Sequence, residues 1–147
     1  MEERDLLVRQ TTYRLFVALN RAPIAGEVAS AARLDEADIV EAWRRLDRAH
    51  ALVLEKDRPA IRMANPFSAI PTAYRVAAAG RDWFANCAWD AFGICAALHV
   101  DGHIESTCPD CKAEISIDVV DKRPVQTDLL FHCLEPAAHW WDDIVFT

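Results

Sequence analysis

Residues 82–98 read DWFANCAWDAFGICAAL, and this stretch is predicted to organise the fold of the chain around it. Apolar and aromatic side chains occupy almost every position, which is typical of a helix buried on all sides. Cys87 and Asp90 lie three residues apart, so on a helix they share one face. An acid in such surroundings tends to stay protonated, because burial disfavours its charge. The stretch therefore predicts a soft nucleophile beside a proton donor, shielded from water.

The alternative for Cys87 is a plain core cysteine, since a free cysteine packs as a small hydrophobic residue. Asp90 weighs against that alternative, because a buried carboxyl group without a basic partner is costly. Cys95 and Cys133 also lie in apolar runs. For these two cysteines we favour the core interpretation.

Length and composition indicate a globular protein. The chain has 147 residues, of which 52% are hydrophobic, and no run approaches the ~18 uncharged apolar residues of a membrane span. Its acidic start, residues 1–5, excludes a secretory signal. We expect a cytoplasmic protein whose five cysteines are thiols or metal ligands rather than a disulfide framework.

Charge and cysteine content divide the chain into two predicted domains, residues 1–65 and 66–147. The first holds 11 basic and 11 acidic residues, so the whole net charge of −7 lies in the second, as do all five cysteines. The step from Asn65 to Pro66 marks the boundary, because the residue before a proline rarely continues a helix.

The first domain is predicted to contain three helices and a small hairpin. The first helix is predicted to end near Asn20, the second to run from Pro23 to Arg33, and the third to start at the N-cap Asp35. The two strands of the hairpin are predicted at 51–54 and 60–63. This order is typical of a winged helix-turn-helix, whose third helix can enter the DNA major groove. Because DNA-binding faces are basic and this half is neutral, we favour a structural module and expect no nucleic acid to bind.

The second domain is predicted to be a small mixed α/β domain built on the cysteine helix. Its strands are expected at 74–76, 104–107, 113–119 and 129–134, the third of which alternates apolar and polar residues. The fold class predicted for the whole chain is therefore α+β.

Cys108 and Cys111 have the spacing of half a zinc site. A structural zinc ion needs four ligands, and no second pair of this spacing occurs. The residues that could supply the missing zinc ligands are Cys133, His132, His103 and His99. We favour two free thiols on a tight turn.

Three segments resemble the alkylmercury (organomercurial) lyase family: NCAWD at 86–90, IESTCPDC at 104–111 and HWWDDIVFT at 139–147. The resemblance is strongest from residue 66 onward, and it implies a winged-helix-like domain followed by a mixed α/β domain. The implied activity is cleavage of a carbon–mercury bond into a hydrocarbon and Hg(II), with no cofactor required. Cys87 would be the thiolate that binds mercury, and Asp90 would protonate the leaving carbon. Cys108 would match a family cysteine that serves structure.

The family also uses a second catalytic cysteine, which the resemblance would place just beyond Thr147. The second domain is therefore expected to be truncated at its C-terminal end. Cys133 lies too early to align with that cysteine, although it could approach in space. The expected mercury ligand is Cys87, with Cys133, Cys108 and Cys111 as weaker candidates.

Three functions compete at this point: an organomercurial lyase, a non-catalytic soft-metal-binding protein of the same fold, and a winged-helix regulator. The expected partners are an organomercurial small molecule and either small thiols or a mercury-accepting protein. Neither nucleic acid nor a membrane is expected as a partner.

Overall fold

The computed structural model describes residues 2–126, 128–133 and 135–145. It divides into two compact units between Thr72 and Ala73. The predicted boundary at Asn65 and Pro66 lies several residues too early, because Phe67–Ser68 is a strand that pairs with Ile61–Ala64 of the first unit. Pro66 therefore lies between two paired strands of a single sheet, and not between two domains.

The first unit consists of three helices followed by a small antiparallel sheet. The helices are α1 (Glu3–Leu19), α2 (Ala25–Ala32) and α3 (Glu36–Arg48). The strands are β1 (Val53–Leu54), β2 (Ile61–Ala64) and β3 (Phe67–Ser68), paired in the order β1-β2-β3. The predicted order of helices and hairpin is confirmed, with β3 as an additional strand.

The core of the first unit is built on α3, whose apolar residues Ile39, Ala42, Trp43 and Leu46 are all buried. The indole Nε1 of Trp43 donates a 2.9 Å hydrogen bond to Thr12 Oγ1. The Thr12 hydroxyl in turn donates to the Val8 carbonyl at 2.8 Å. This chain of bonds satisfies the polar atoms that the core encloses.

Two arginines of α3 are paired with carboxylates of the same unit. Arg45 binds the buried Asp5 at 2.7 Å and lowers the pKa of that carboxyl group by hydrogen bonding. Arg44 pairs with Glu41. The positive charge of α3 is therefore largely balanced locally.

The second unit is a five-stranded sheet with one helix. The strands are β4 (Arg75–Ala78), β5 (Arg81–Phe84), β6 (Gly102–Thr107), β7 (Glu114–Val120) and β8 (Arg123–Pro124), in the order β5-β4-β6-β7-β8. Every neighbouring pair is antiparallel, so the predicted small mixed α/β domain contains a wholly antiparallel sheet. Helix α4 (Ala88–Leu98) joins β5 to β6 and contacts β4 and β6.

The helix predicted across residues 82–98 begins only at Ala88. Residues 81–84 form β5 instead, because Ala79 and Gly80 both have positive φ and turn the chain back onto β4. Trp83 is buried, and its Nε1 donates to the Ala78 carbonyl at 3.1 Å. The helix is also not buried on all sides: its buried residues are Ala91, Ile94 and Cys95, whereas Trp89 is 64% exposed.

The strand predicted at 129–134 is wrong for the described residues 129–133, while Leu134 lies outside the described residues. The partner of β7 is β8, because Asp121 and Lys122 both adopt positive φ and reverse the chain directly after β7. Pro124 then offers no backbone N–H to extend the ladder. Leu130 is 96% exposed, so the apolar run around it does not enter the core.

Within the described residues, we find no helix whose length and apolar character together would allow it to cross a membrane.

Gly102 provides a test of how α4 packs on the sheet. A Cβ atom added at this position would lie 2.6 Å from Cys95 Sγ and 3.1 Å from the Ala77 carbonyl oxygen. We expect Gly102→Ala to lower the free energy of unfolding by about 1–3 kcal/mol, measured by urea denaturation. Cys95→Ala in the same chain should recover part of this loss. Strictly additive effects of the two substitutions would contradict the contact.

Candidate active site

Cys87 is the residue immediately before α4, so its thiol lies at the helix N-terminus rather than on a helix face. Its backbone is extended, with φ −149° and ψ 179°, and its carbonyl accepts the first helical hydrogen bond from Ala91 N at 3.0 Å. The side chain is half-buried. A thiol at such a position faces backbone amides that have no partner within the helix.

The pKa of the Cys87 thiol is raised above its ordinary value. Burial is the main cause, and negative charge on Asp90 and Cys133 acts in the same direction. The backbone amides of Asp90 and Trp89 oppose the rise, because they stabilise a thiolate. At neutral pH the protonated thiol is therefore favoured, and a thiolate is best formed when a cationic ligand such as mercury arrives.

Asp90 lies in the first turn of α4, beside the thiol. Asn86 Nδ2 donates a 3.0 Å hydrogen bond to its Oδ2. Burial raises the pKa of Asp90, while the hydrogen bonds from Asn86 and Cys87 partly offset this rise. Among the residues that the structure describes, no lysine, arginine or histidine forms an ion pair with Asp90. The carboxyl group therefore has the environment of a proton donor.

Tyr74 and Asn86 belong to this neighbourhood, although no role was predicted for either. Burial raises the pKa of the Tyr74 phenol, and negative charge on Cys87 adds to the effect. The Tyr74 carbonyl accepts a 2.9 Å hydrogen bond from Ala85 N, which ties the start of β4 to the chain leading into Cys87. This pairing joins residues that are distant in the sequence, so residue spacing gives no signal for Tyr74.

The segment 128–133 reaches the same end of α4. The rings of Trp89 and Phe131 contact each other with centroids 6.3 Å apart. Cys133, two residues further on, lies close enough for its charge to raise the pKa of Cys87. Its thiol is exposed and donates to the Glu135 carbonyl at 3.0 Å, so the predicted core position of Cys133 is wrong. The segment thus brings an exposed second thiol towards the end of α4 at which Cys87 lies.

Cys108 and Cys111 lie on the turn between β6 and β7. In the described ranges, no three His, Cys, Asp or Glu side chains come together as a metal site, so the completing set suggested for zinc is not assembled there. All five cysteines are free thiols, and Cys95 is the one that is buried, as predicted.

Comparisons with known proteins agree with the resemblance seen in the sequence. Residues 67–147 match the alkylmercury lyase family, MerB. The fold is similar to a solved structure described as the mercury-bound form of MerB2, with a TM-score of 0.69 and 22% sequence identity. That alignment covers 87% of this chain and 61% of the other, so this chain spans about three fifths of that structure's length. No curated protein matches.

The family match covers more than half of the chain and includes Cys87, Asp90 and the turn at Cys108. It extends through the segment 139–147, of which Phe146 and Thr147 lie outside the described residues. The chain therefore belongs to the alkylmercury lyase family.

Proposed function

We propose that this protein cleaves the carbon–mercury bond of organomercurials, with Cys87 as the mercury-binding thiol and Asp90 as the proton donor. The observation that carries the proposal is the pairing of these two groups in a half-buried position at the start of α4. Family membership of the second unit supports the choice of substrate. All five cysteines are free, which suits a reducing compartment such as the cytoplasm, where small thiols would accompany the substrate.

The first step is a ligand exchange at mercury. An organomercurial carried by a small thiol, R–Hg–SR′, reacts with the Cys87 thiol to give R–Hg–S-Cys87 and free R′SH. Mercury is a soft cation and prefers thiolate to the oxygen ligands around it. The amides of Trp89 and Asp90 stabilise the thiolate as it forms, and the proton leaves on R′SH.

The second step is proton transfer to carbon. Asp90 donates its proton to the carbon of R–Hg–S-Cys87, and the electron pair of the carbon–mercury bond becomes the new C–H bond. The hydrocarbon RH leaves, mercury remains as Hg(II) on Cys87, and neither partner is oxidised or reduced. Burial favours the protonated carboxyl group that this step requires.

Hg(II) left on a single thiolate binds a second sulfur ligand readily. Cys133 is a candidate in the chain, because it is exposed and lies two residues after Phe131, whose ring contacts Trp89 of α4. A small thiol is the alternative second ligand. Either would reduce the charge on the bound metal and prepare it for release to a small thiol or to a mercury-accepting protein.

The test is incubation of the protein with phenylmercury and an excess of small thiol, with benzene and protein-bound mercury measured together. We expect more than one benzene per protein molecule. Mercury held on Cys87 without benzene would overturn the lyase proposal in favour of a non-catalytic soft-metal-binding protein. Neither binding nor benzene would overturn the assignment of the site itself.

A further inference from the structure

The turn between β6 and β7 holds a second pair of thiols with a defined geometry. Lys112 N donates to the Cys108 carbonyl at 3.0 Å, which closes a single helix-like turn over residues 108–112. Cys108 N donates to the Ala113 carbonyl at 2.9 Å, and Lys112 Nζ donates to the Pro109 carbonyl at 2.6 Å. In such a turn, side chains three residues apart point to the same side, so the thiols of Cys108 and Cys111 are neighbours.

The two thiols are accessible and one of them is activated. Cys111 is exposed and Cys108 is half-buried. The backbone amides of Cys111 and Asp110, followed by the Cys111 thiol, lower the pKa of Cys108 below its ordinary value. This is the opposite of Cys87, whose pKa is raised. The hydrogen-bonded turn, which holds both thiols on one side, is what allows them to reach a single metal ion.

The number of ligands selects the kind of metal. Zinc requires four protein ligands at a structural site, whereas within the described residues no group of three or more His, Cys, Asp or Glu side chains is placed to hold a metal ion, at this turn or elsewhere. Hg(II) is satisfied by two thiolates in a linear arrangement, and it is a soft ion that prefers them. We propose that Cys108 and Cys111 form a two-thiolate Hg(II) site separate from Cys87, which takes up the inorganic product.

The sheet brings this site to the same end of the second unit as Cys87. Arg75 of β4 pairs with Phe84 of β5 on one side and with Glu105 of β6 on the other. The chain leaving β5 towards Cys87 and the chain leaving β6 towards Cys108 therefore emerge at one end of the sheet. They are two strand spacings apart, or about 10 Å.

Transfer between the sites is a balanced thiol exchange. Cys87–S–Hg–S–R′ and the two protonated thiols of the turn give Cys108–S–Hg–S–Cys111, the Cys87 thiol and R′SH. The chelate holds Hg(II) better than separate thiols, because its second bond forms intramolecularly. An organomercury cation needs only one thiolate and gains nothing from the second. The turn thus selects product over substrate; this role rests on the proposed function, whereas Hg(II) binding by the turn does not.

The experiment uses the double variant Cys87→Ser/Cys133→Ser, which keeps the turn and removes the thiols at the proposed active site. Hg(II) chloride is added with excess glutathione, and bound mercury is counted by native mass spectrometry. Alkylation with iodoacetamide then reports which cysteines are protected. We expect one Hg(II) per chain with Cys108 and Cys111 both protected, and no comparable retention of phenylmercury.

Two further variants make the test decisive. Adding Cys111→Ser, at an exposed position that should leave the fold intact, is expected to weaken Hg(II) retention against glutathione about 100-fold. Adding Cys108→Ser should have the same effect. Retention by either single thiol equal to that of the pair would overturn the proposal. Because the background lacks Cys87, this result is independent of whether the wild-type protein releases benzene.

Discussion

Cys87→Ser is expected to abolish benzene release from phenylmercury and the binding of phenylmercury at the start of α4. A serine hydroxyl is a hard oxygen ligand that a soft metal does not prefer to the small thiols in solution. The loss should reach at least about a thousandfold in kcat/KM, equivalent to about 4 kcal/mol of transition-state stabilisation. The measurement is the initial rate of benzene release in excess small thiol, with bound mercury determined on the same samples.

Cys95→Ala is the matched control, because it removes a buried thiol of α4 that has no part in the proposed mercury chemistry. It should leave the initial rate of benzene release unchanged. If Cys87→Ser still released benzene at a rate near that of the wild type, the nucleophile would have to be another thiol. Cys133→Ser in that background would then show whether Cys133 takes its place.

The parts of the fold that could be predicted from the sequence are those in which local periodicity and burial agree. The spacing of Ile39, Trp43 and Leu46 identifies the buried face of α3, and all three are buried. The alternation in β7 is equally clear, because it has one face towards the core and one towards solvent. In both α3 and β7, the apolar positions that give the sequence its periodicity are also the positions that pack against the rest of the unit.

The sequence-based predictions of secondary structure fail at segments that are too short to show helical or strand periodicity. Trp83 and Phe84 merge with the apolar residues that follow them, and residues 129–133 form a short, mostly apolar run. Such segments do not distinguish helix, strand and exposed chain. Pairing with β4 makes the first of them a strand, and the tight turn after β7 leaves the second outside the sheet. These outcomes depend on turns with positive φ at Ala79, Asp121 and Lys122, residue types that carry no strong preference for that conformation.

In the candidate site, too, local features could be predicted from the sequence and long-range contacts could not. The spacing of Cys87 and Asp90 is visible in the sequence, because both lie in one turn of chain. The approach of residues 128–133 and of Tyr74 to the residues around Cys87 depends on the Trp89–Phe131 ring contact and on the pairing of Tyr74 with Ala85. Such contacts join residues far apart in the chain, so no local pattern could have predicted them.

Asp90→Asn is expected to separate binding from cleavage. The amide has nearly the shape of the carboxyl group and can still accept the hydrogen bond from Asn86 Nδ2, so phenylmercury should bind to Cys87 as before. The amide has no acidic proton to give to carbon. Benzene release in a single turnover should therefore fall about 10²–10⁴-fold, the usual contribution of a positioned acid.

Asp82→Asn is the matched control for this change. Asp82 is an exposed acid of β5 whose ion pair with Arg75 lies at the surface, where such pairs contribute little. It should leave both binding and benzene release unchanged. Equal losses in Asp82→Asn and Asp90→Asn would mean that negative charge in this region, rather than a specific proton donor, supports the reaction.

The effect of Asp90→Asn on stability gives an independent check of the protonation state. Burial raises the pKa of Asp90 in the folded protein, so its stabilising contribution is complete below the unfolded pKa of about 4 and is lost as pH rises through the folded pKa. Asparagine does not titrate. The unfolding free energy of Asp90→Asn, relative to wild type, should therefore increase between about pH 4 and pH 7 in urea denaturation. A decrease over this range would show that the fold stabilises the carboxylate, and Asp90 would then lose its basis as the proton donor.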